Sequence, residues 1–270
     1  MPELPEVETS VKAIQEFVNQ SLESINIYNP NLRWKVDIAA FKKLKGLKVN
    51  KINRRAKYIL IHIEQSQVLI HLGMTGTLRI ADKKSNFYKK HDHIELIFQN
   101  GKLIFNDPRR FGSMHHVTEP STHFLLKKLG PEPLSKEFNG GYLFHKIKKS
   151  LSPVKNSLMN QQNVVGIGNI YANEILFDAN IRPTRKSKTL TKKEFDDITA
   201  SAKKILKHAI KAGGTTLQDF YQPDGNQGYF KIDLAVYDRA NKMCKKCKKE
   251  SIKRIVQSQR ATFYCRKCQG

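Results

Sequence analysis

No cysteine occurs before Cys244, and the four present (Cys244, Cys247, Cys265 and Cys268) all fall in the last stretch of the chain. A set so crowded excludes a disulfide framework and points to a metal site in a reducing compartment. No segment approaches the ~18 uninterrupted apolar residues that span a bilayer. The acidic, proline-bearing front, Met1-Pro2-Glu3-Leu4-Pro5-Glu6-Val7-Glu8, lacks the basic head and apolar middle of a secretory signal. A membrane role is therefore excluded, and a cytoplasmic location is expected. Acids are scarce as well: 24 Asp+Glu stand against 48 Lys+Arg, a formal net charge of +24. An excess of that size fits a polyanionic partner, nucleic acid before any anionic surface.

The 270 residues allow one large or two modest domains with real cores. Removal of Met1 would leave Pro2 with a free secondary amine. An α-amino group titrates near ~7.7–8.0, so a useful fraction is neutral and nucleophilic at working pH. Such an amine can attack an aldehyde-like carbon and form an iminium, and Glu3 beside it could give or take the proton. The same residues also read as a plain helix start. Pro5 suits a first helical position, Glu6 and Glu8 suit the first turn, and Val7, Val11, Ile14 and Phe17 or Val18 make an apolar stripe for a helix over 7–20.

From 22 to 118 the pattern changes to short strands, near 24–28, 48–54, 58–64, 68–72, 76–81, 93–98, 102–106 and 113–117. Alternation at Ile59, Ile61 and Ile63, and at Ile94, Leu96 and Phe98, buries at least one face of each strand. Turn signals such as Gln99-Asn100-Gly101 separate them at hairpin spacing, the pattern of a β-sandwich or barrel. Pro131 and Pro133 mark the end of this region. Helical signals follow, near 153–160 and 169–178, and then from the capping box Thr191-x-x-Glu194 to Gly213-Gly214. The helix beginning at Asn169 sits behind Gly166-Ile167-Gly168, so its first amides could hold a phosphate. Residues 215–230, with Phe220, Tyr221, Tyr229 and Phe230, read as a long glycine- and polar-rich loop, functional or mobile. At the end, two CxxC knuckles seventeen residues apart match a closed four-thiolate zinc site, structural rather than catalytic. Between them 252–257 and 262–264 read as a hairpin with Gln259-Arg260-Ala261 near its turn. Residues 240–270 carry ten Lys/Arg against the single acid Glu250.

Taken in order, several motifs resemble the bacterial formamidopyrimidine-DNA glycosylase family, which also includes endonuclease VIII. They are Pro2-Glu3-Leu4-Pro5-Glu6-Val7-Glu8, Arg54-Arg55-Ala56-Lys57-Tyr58, His71-Leu72-Gly73-Met74-Thr75-Gly76, His91-Asp92-His93 and Asp107-Pro108-Arg109-Arg110-Phe111-Gly112. Gly166-Ile167-Gly168-Asn169-Ile170-Tyr171-Ala172-Asn173-Glu174, Gly213-Gly214-Thr215-Thr216-Leu217 and Gln259-Arg260-Ala261-Thr262-Phe263-Tyr264-Cys265 complete the series.

The resemblance implies an α+β protein. Its N-terminal β-sandwich flanked by helices would occupy 1–133, and a helix–two-turn–helix domain 134–236, with the 215–230 loop on the lesion side. A four-cysteine zinc finger hairpin would form 237–270 and hold one structural zinc through Cys244, Cys247, Cys265 and Cys268. The implied function is removal of oxidised purines from damaged double-stranded DNA, followed by strand cleavage by β,δ-elimination through a Pro2 Schiff base. In it Pro2 is the nucleophile, Glu3 the acid/base partner, and Lys57 and Arg260 assist the eliminations. His71, His91, Lys155 and Asn169 resemble DNA contacts, and Met74, Arg109 and Phe111 the trio that fills the hole left by a flipped nucleotide. A further family lysine falls in Lys148-Lys149 without a secure alignment. A monomer acting on nucleoid DNA is expected. Two other readings fit parts of the sequence: an endonuclease VIII-like enzyme for oxidised pyrimidines, and a non-catalytic zinc-ribbon nucleic-acid-binding protein. The second leaves Pro2-Glu3 unexplained.

Overall fold

The computed structural model describes residues 2–214 and 234–270, so the 215–230 loop lies outside the described residues. These divide into two compact units, residues 2–127 with 213–214, and residues 128–212 with 234–270.

The first unit opens with helix α1 (Leu4–Ala13), continued by a 3-10 turn (Ile14–Phe17). The helix begins three residues before the start expected at residue 7 because its N-cap is Glu3. The Glu3 carboxylate accepts the Glu6 amide, and the Glu6 carboxylate accepts the Glu3 N–H at 2.9 Å, a reciprocal capping box built on an unusual cap residue. Pro5 is the second helical residue rather than the first, where its missing N–H is still an orphan position.

Eight strands follow where the alternation places them: β1 (Leu22–Ile27), β2 (Val49–Arg55), β3 (Tyr58–Ile63), β4 (Ser66–His71), β5 (Thr77–Ala81), β6 (Asp92–Phe98), β7 (Gly101–Asn106) and β8 (Ser113–Val117). A short helix α2 (Ile38–Lys42), capped by Asp37, interrupts them. They form two antiparallel sheets, ordered β1-β6-β7-β5 and β2-β3-β4-β8. Ile59, Ile61, Ile63 and Ile70 of one sheet share a core with Ile94, Leu96, Phe98 and Phe105 of the other, closed by Val7 and Val11 of α1 and Ile14 of the 3-10 turn. β4 runs out of one sheet and β5 into the other, while β7 and β8 make the reverse passage. The pairs His71↔Ser113 and Thr77↔Asn106 put both crossings at one end of the sandwich.

The second unit is helical: α3 (Gly140–Ile147), α4 (Val154–Met159), α5 (Asn169–Asp178) and α6 (Lys192–Lys211). They pack around Phe138, Leu143, Leu158, Tyr171, Phe195, Ile198 and Leu206. Helix α3 is capped by Asn139 through the Tyr142 amide at 2.9 Å. Its first glycine is required, since a Cβ on Gly140 would lie 1.8 Å from Asp196 Oδ1. The α4–α5 connection is two turns stitched by one side chain. Gln161 accepts the Gly166 N–H at 2.8 Å and donates to the carbonyls of Met159 and Ile167, both at 3.0 Å.

The chain ends in a ribbon, β9 (Lys253–Gln257) and β10 (Arg260–Tyr264). Ser258 and Gln259, with φ of 48° and 59°, make the two-residue turn of a hairpin whose usual Asn-Gly signal is missing. Arg260 is therefore the first strand residue, paired with Gln257. A small core of Val236, Ile252 and Phe263 packs on Phe177 of α5. No described helix is long and apolar enough to cross a membrane.

Candidate functional site

Pro2 immediately precedes the N-cap of α1 and is partly exposed, whereas Glu3 is buried. An ion pair ties this helix to the next predicted residue. Arg54 Nε donates to Glu8 Oε2 at 2.7 Å, and Arg54 Nη1 donates to the Ala56 carbonyl at 2.9 Å. Ala56 and Lys57 form the two-residue turn between Arg55 and Tyr58. Ala56 sits at φ 55°, a conformation that a non-glycine residue adopts only when its surroundings impose it. Lys57 is buried in the turn.

His71, at the end of β4, stacks on Tyr58 with ring centroids 4.9 Å apart, and its Nδ1 accepts the Gly73 N–H at 3.1 Å. Burial first, then the charges of Lys57 and Arg33, bring its pKa down to about 4. His71 is thus neutral at pH 7, with its proton on Nε2. That makes it an uncharged donor suited to a phosphate oxygen. His91 has φ 74°, and its carbonyl accepts the Asp107 N–H at 3.1 Å.

Met74 and Phe111 are 42% and 45% exposed, so neither is a core residue. The Arg109 guanidinium lies 4.5 Å from the Phe111 ring centroid, so the expected trio stands together on the two crossings between the sheets. Beneath it lies Asp107, fully buried. Its carboxylate accepts Thr75 Oγ1 at 2.6 Å, the Gly112 N–H at 2.7 Å and the Arg109 N–H at 3.3 Å. The crossings touch backbone to backbone, since a Cβ on Gly73 would lie 2.4 Å from Gly112 N. An open cavity of about 620 Å³ beside the trio is lined by Asn31, Leu32, Arg33, Arg109, Arg110 and Phe111. Sequence reasoning missed Asp107, Thr75 and Arg33. Asp107 lay inside a quoted motif, but only the fold shows what its carboxylate joins.

In the second unit, two predicted residues converge on one carbonyl. Lys155 Nζ donates to Ala261 O at 3.1 Å and to Thr262 Oγ1 at 2.6 Å, and Asn169 Nδ2 donates to the same Ala261 O at 3.0 Å. Arg260, the neighbour of Ala261, is exposed. Lys155 is only 1% exposed, so it stands beneath the ribbon rather than in open solvent. Two residues not singled out from sequence hold the C-terminal segment to α5: Asn173 the ribbon, Glu174 the stretch before it. Asn173 Oδ1 accepts the Phe263 N–H at 2.8 Å. The Glu174 carboxylate accepts the amides of Ala235, Val236 and Tyr237 at 2.7, 2.9 and 2.8 Å. Of the Lys148-Lys149 pair, Lys148 donates to the carbonyls of Lys188 and Leu190 at 2.7 and 2.6 Å, and Lys149 is exposed.

The four cysteine sulfurs lie within 4.8 Å of one another, with Cys244–Cys268 at 3.9 Å and Cys247–Cys265 at 3.7 Å. A tetrahedral site with bonds near ~2.3 Å requires sulfurs about 3.8 Å apart, so the cluster is arranged to bind a metal ion. The backbone N–H of Lys249 pulls the Cys247 thiol down to about 6, while burial pushes Cys268 up to about 12 and raises Cys265. Four thiols so crowded ionise together only around a cation.

Comparison with known proteins agrees with this geometry. Residues 1–114 match the model of the formamidopyrimidine-DNA glycosylase N-terminal domain, and residues 129–221 that of the formamidopyrimidine-DNA glycosylase H2TH domain. The chain is 49% identical, over all of its length and 96% of the relative's, to a formamidopyrimidine-DNA glycosylase of Hydrogenovibrio crunogenus. It is 47% identical over the whole of both chains to one of Ruthia magnifica. Among solved structures it superposes on a Lactococcus lactis FPG mutant in complex with Fapy-dG-containing DNA, with a TM-score of 0.91, 32% identity and 99% of each chain covered. It also superposes on Lactococcus lactis Fpg in complex with abasic-site DNA, with a TM-score of 0.89, 32% identity and the same coverage.

Proposed function

The chain belongs to the formamidopyrimidine-DNA glycosylase family, and from that membership we propose how its own residues divide the work. It is a base-excision DNA glycosylase with abasic-site lyase activity, and its substrate is damaged double-stranded DNA carrying an oxidised purine. The neutral Pro2 nitrogen attacks C1′ of the everted nucleotide. The N–C1′ bond forms, the glycosidic bond breaks, and its electron pair leaves with the base, which takes up a proton. Glu3 delivers a proton to O4′ as the sugar ring opens, and the nitrogen lone pair closes the iminium. The iminium then acidifies the C2′ proton. Its loss expels the 3′ phosphate, and a second elimination expels the 5′ phosphate. Lys57 and Arg260 hold the departing phosphates, and neutral His71, His91, Lys155 and Asn169 fix the backbone around the lesion. Met74, Arg109 and Phe111 fill the vacated stack.

The observation that carries this reading is the placing of Pro2. It lies outside the helix it precedes, beside a buried carboxylate, and that helix is pinned through Arg54 to the Lys57 turn. A zinc ion held by Cys244, Cys247, Cys265 and Cys268 would supply folding energy to the ribbon and no chemistry, because a four-thiolate site leaves no open position. The protein acts as a monomer on nucleoid DNA in the cytoplasm. The direct test is borohydride trapping on a duplex with an abasic site, followed by mass spectrometry of the crosslinked peptide. Attachment at Pro2, lost in Pro2→Gly, supports the mechanism. Attachment at an internal lysine, or no adduct from protein lacking Met1, overturns it.

A further inference from the structure

Met74 and Phe111 stand on different crossings between the sheets, and no strand ladder joins residues 72–76 to 107–112. The ladders stop at His71↔Ser113 on one sheet and at Thr77↔Asn106 on the other. In the gap lies a fully buried carboxylate, that of Asp107. Burying a carboxylate is costly unless hydrogen bonds replace its water. Two of its donors, the Gly112 and Arg109 amides, belong to its own crossing. The third, Thr75 Oγ1 at 2.6 Å, belongs to the other. It is a hydroxyl rather than a backbone group, so it depends on the identity of one side chain, and it comes from the residue next to Met74.

We propose that the Thr75 hydroxyl and the Asp107 carboxylate form a latch that couples the two crossings, so that Met74, Arg109 and Phe111 enter the duplex as one rigid wedge. Both are positioning residues, and the inference rests on the glycosylase reading above. Extruding a nucleotide costs a few kcal/mol, and a filler recovers that only if it is already placed. Met74 alone has three rotatable bonds and a soft thioether. Its Cα is held on one side by the Gly73–Gly112 backbone contact and on the other by Thr75. Releasing the Thr75 side lets Met74 move independently of Phe111 and leaves a buried acceptor with one donor fewer. The latch matters only where a base must be displaced from a stack. Cleavage at an abasic site in a single strand displaces none.

The test compares Thr75→Val, which keeps the shape and removes the O–H, with Thr75→Ser, which keeps the O–H. Each is assayed for single-turnover excision of 8-oxoguanine from a duplex and for cleavage of a single-stranded oligonucleotide carrying a preformed abasic site. Excision by Thr75→Val is expected to fall about tenfold or more, the loss expected for a charge-assisted hydrogen bond. Its single-strand cleavage should be unchanged, and Thr75→Ser should return excision to near the parental rate. Parental excision by Thr75→Val, or an equal fall in both activities, overturns the latch. A parental protein that excises no base from the duplex overturns the glycosylase reading and the latch with it.

Discussion

At the scale of single residues, ionisation is set by burial as much as by charge. His71 and His115 are both brought down to about 4, in each case first by burial. Unfolded, each titrates near ~6.5, so between those values the unfolded chain binds more protons than the folded one, and stability rises with pH. Stability from these imidazoles should therefore be complete above about pH 6.5 and lost as the pH falls towards 4. Thermal melts across that window should show Tm falling with acidification, and more shallowly in His115→Phe, whose ring can keep its place against Trp34 and Phe124. Above that window His71 stays neutral, so the pH dependence of phosphate binding should carry no step from it. An NMR titration that finds the His71 imidazolium at pH 7 would contradict this. Pro2 behaves differently, because its chemistry depends on a covalent state of the chain. Protein retaining Met1 should bind abasic DNA and leave the strand uncut, which a gel-shift and cleavage pair of assays reads directly.

At the scale of elements, the four thiols at the base of the ribbon are arranged to bind a metal ion. Chelation should unfold residues 240–268 and release the Ala261 carbonyl from Lys155 and Asn169, and Arg260 with it. DNA affinity should then drop while the sandwich keeps its melting transition, and unchanged affinity after metal removal would exclude the ribbon from the interface. How much of this was legible in the sequence follows from how local each signal is. The eight strands were readable because alternation at positions such as Ile59, Ile61 and Ile63 is a local record of one buried face. The helix from Lys192 to Lys211 was readable from its Thr191/Glu194 box. Helix α3 was not, because it starts on Gly140-Gly141, where only the fit against Asp196 calls for a glycine. The ribbon turn was placed late, since Ser258-Gln259 carries neither Asn nor Gly. The metal ligands and the residues standing at chain ends or turns were marked by motif. Asp107, Asn173 and Glu174 were not assigned roles, because the partner that gives each its place, Thr75 for Asp107, Phe263 for Asn173 and residues 235–237 for Glu174, lies tens of residues away in the chain.

At the scale of the whole molecule, the excess of 24 positive charges governs association. Log affinity for a nonspecific duplex should fall linearly with log salt, by about 0.9 per phosphate neutralised. Substituting an exposed cation such as Arg260 by Ala should reduce that slope by about one such unit, and an unchanged slope would place Arg260 away from the backbone. The sandwich itself has a mechanical consequence. The residues proposed to enter the duplex are carried by the straps that lash its two layers together, so any slip of one layer over the other is geared directly to the tips. Gly112 sits so close to Phe105 that a Cβ there would lie 2.7 Å from its ring. Repacking around that interior phenylalanine should therefore alter how damage is sensed without touching a single nucleotide.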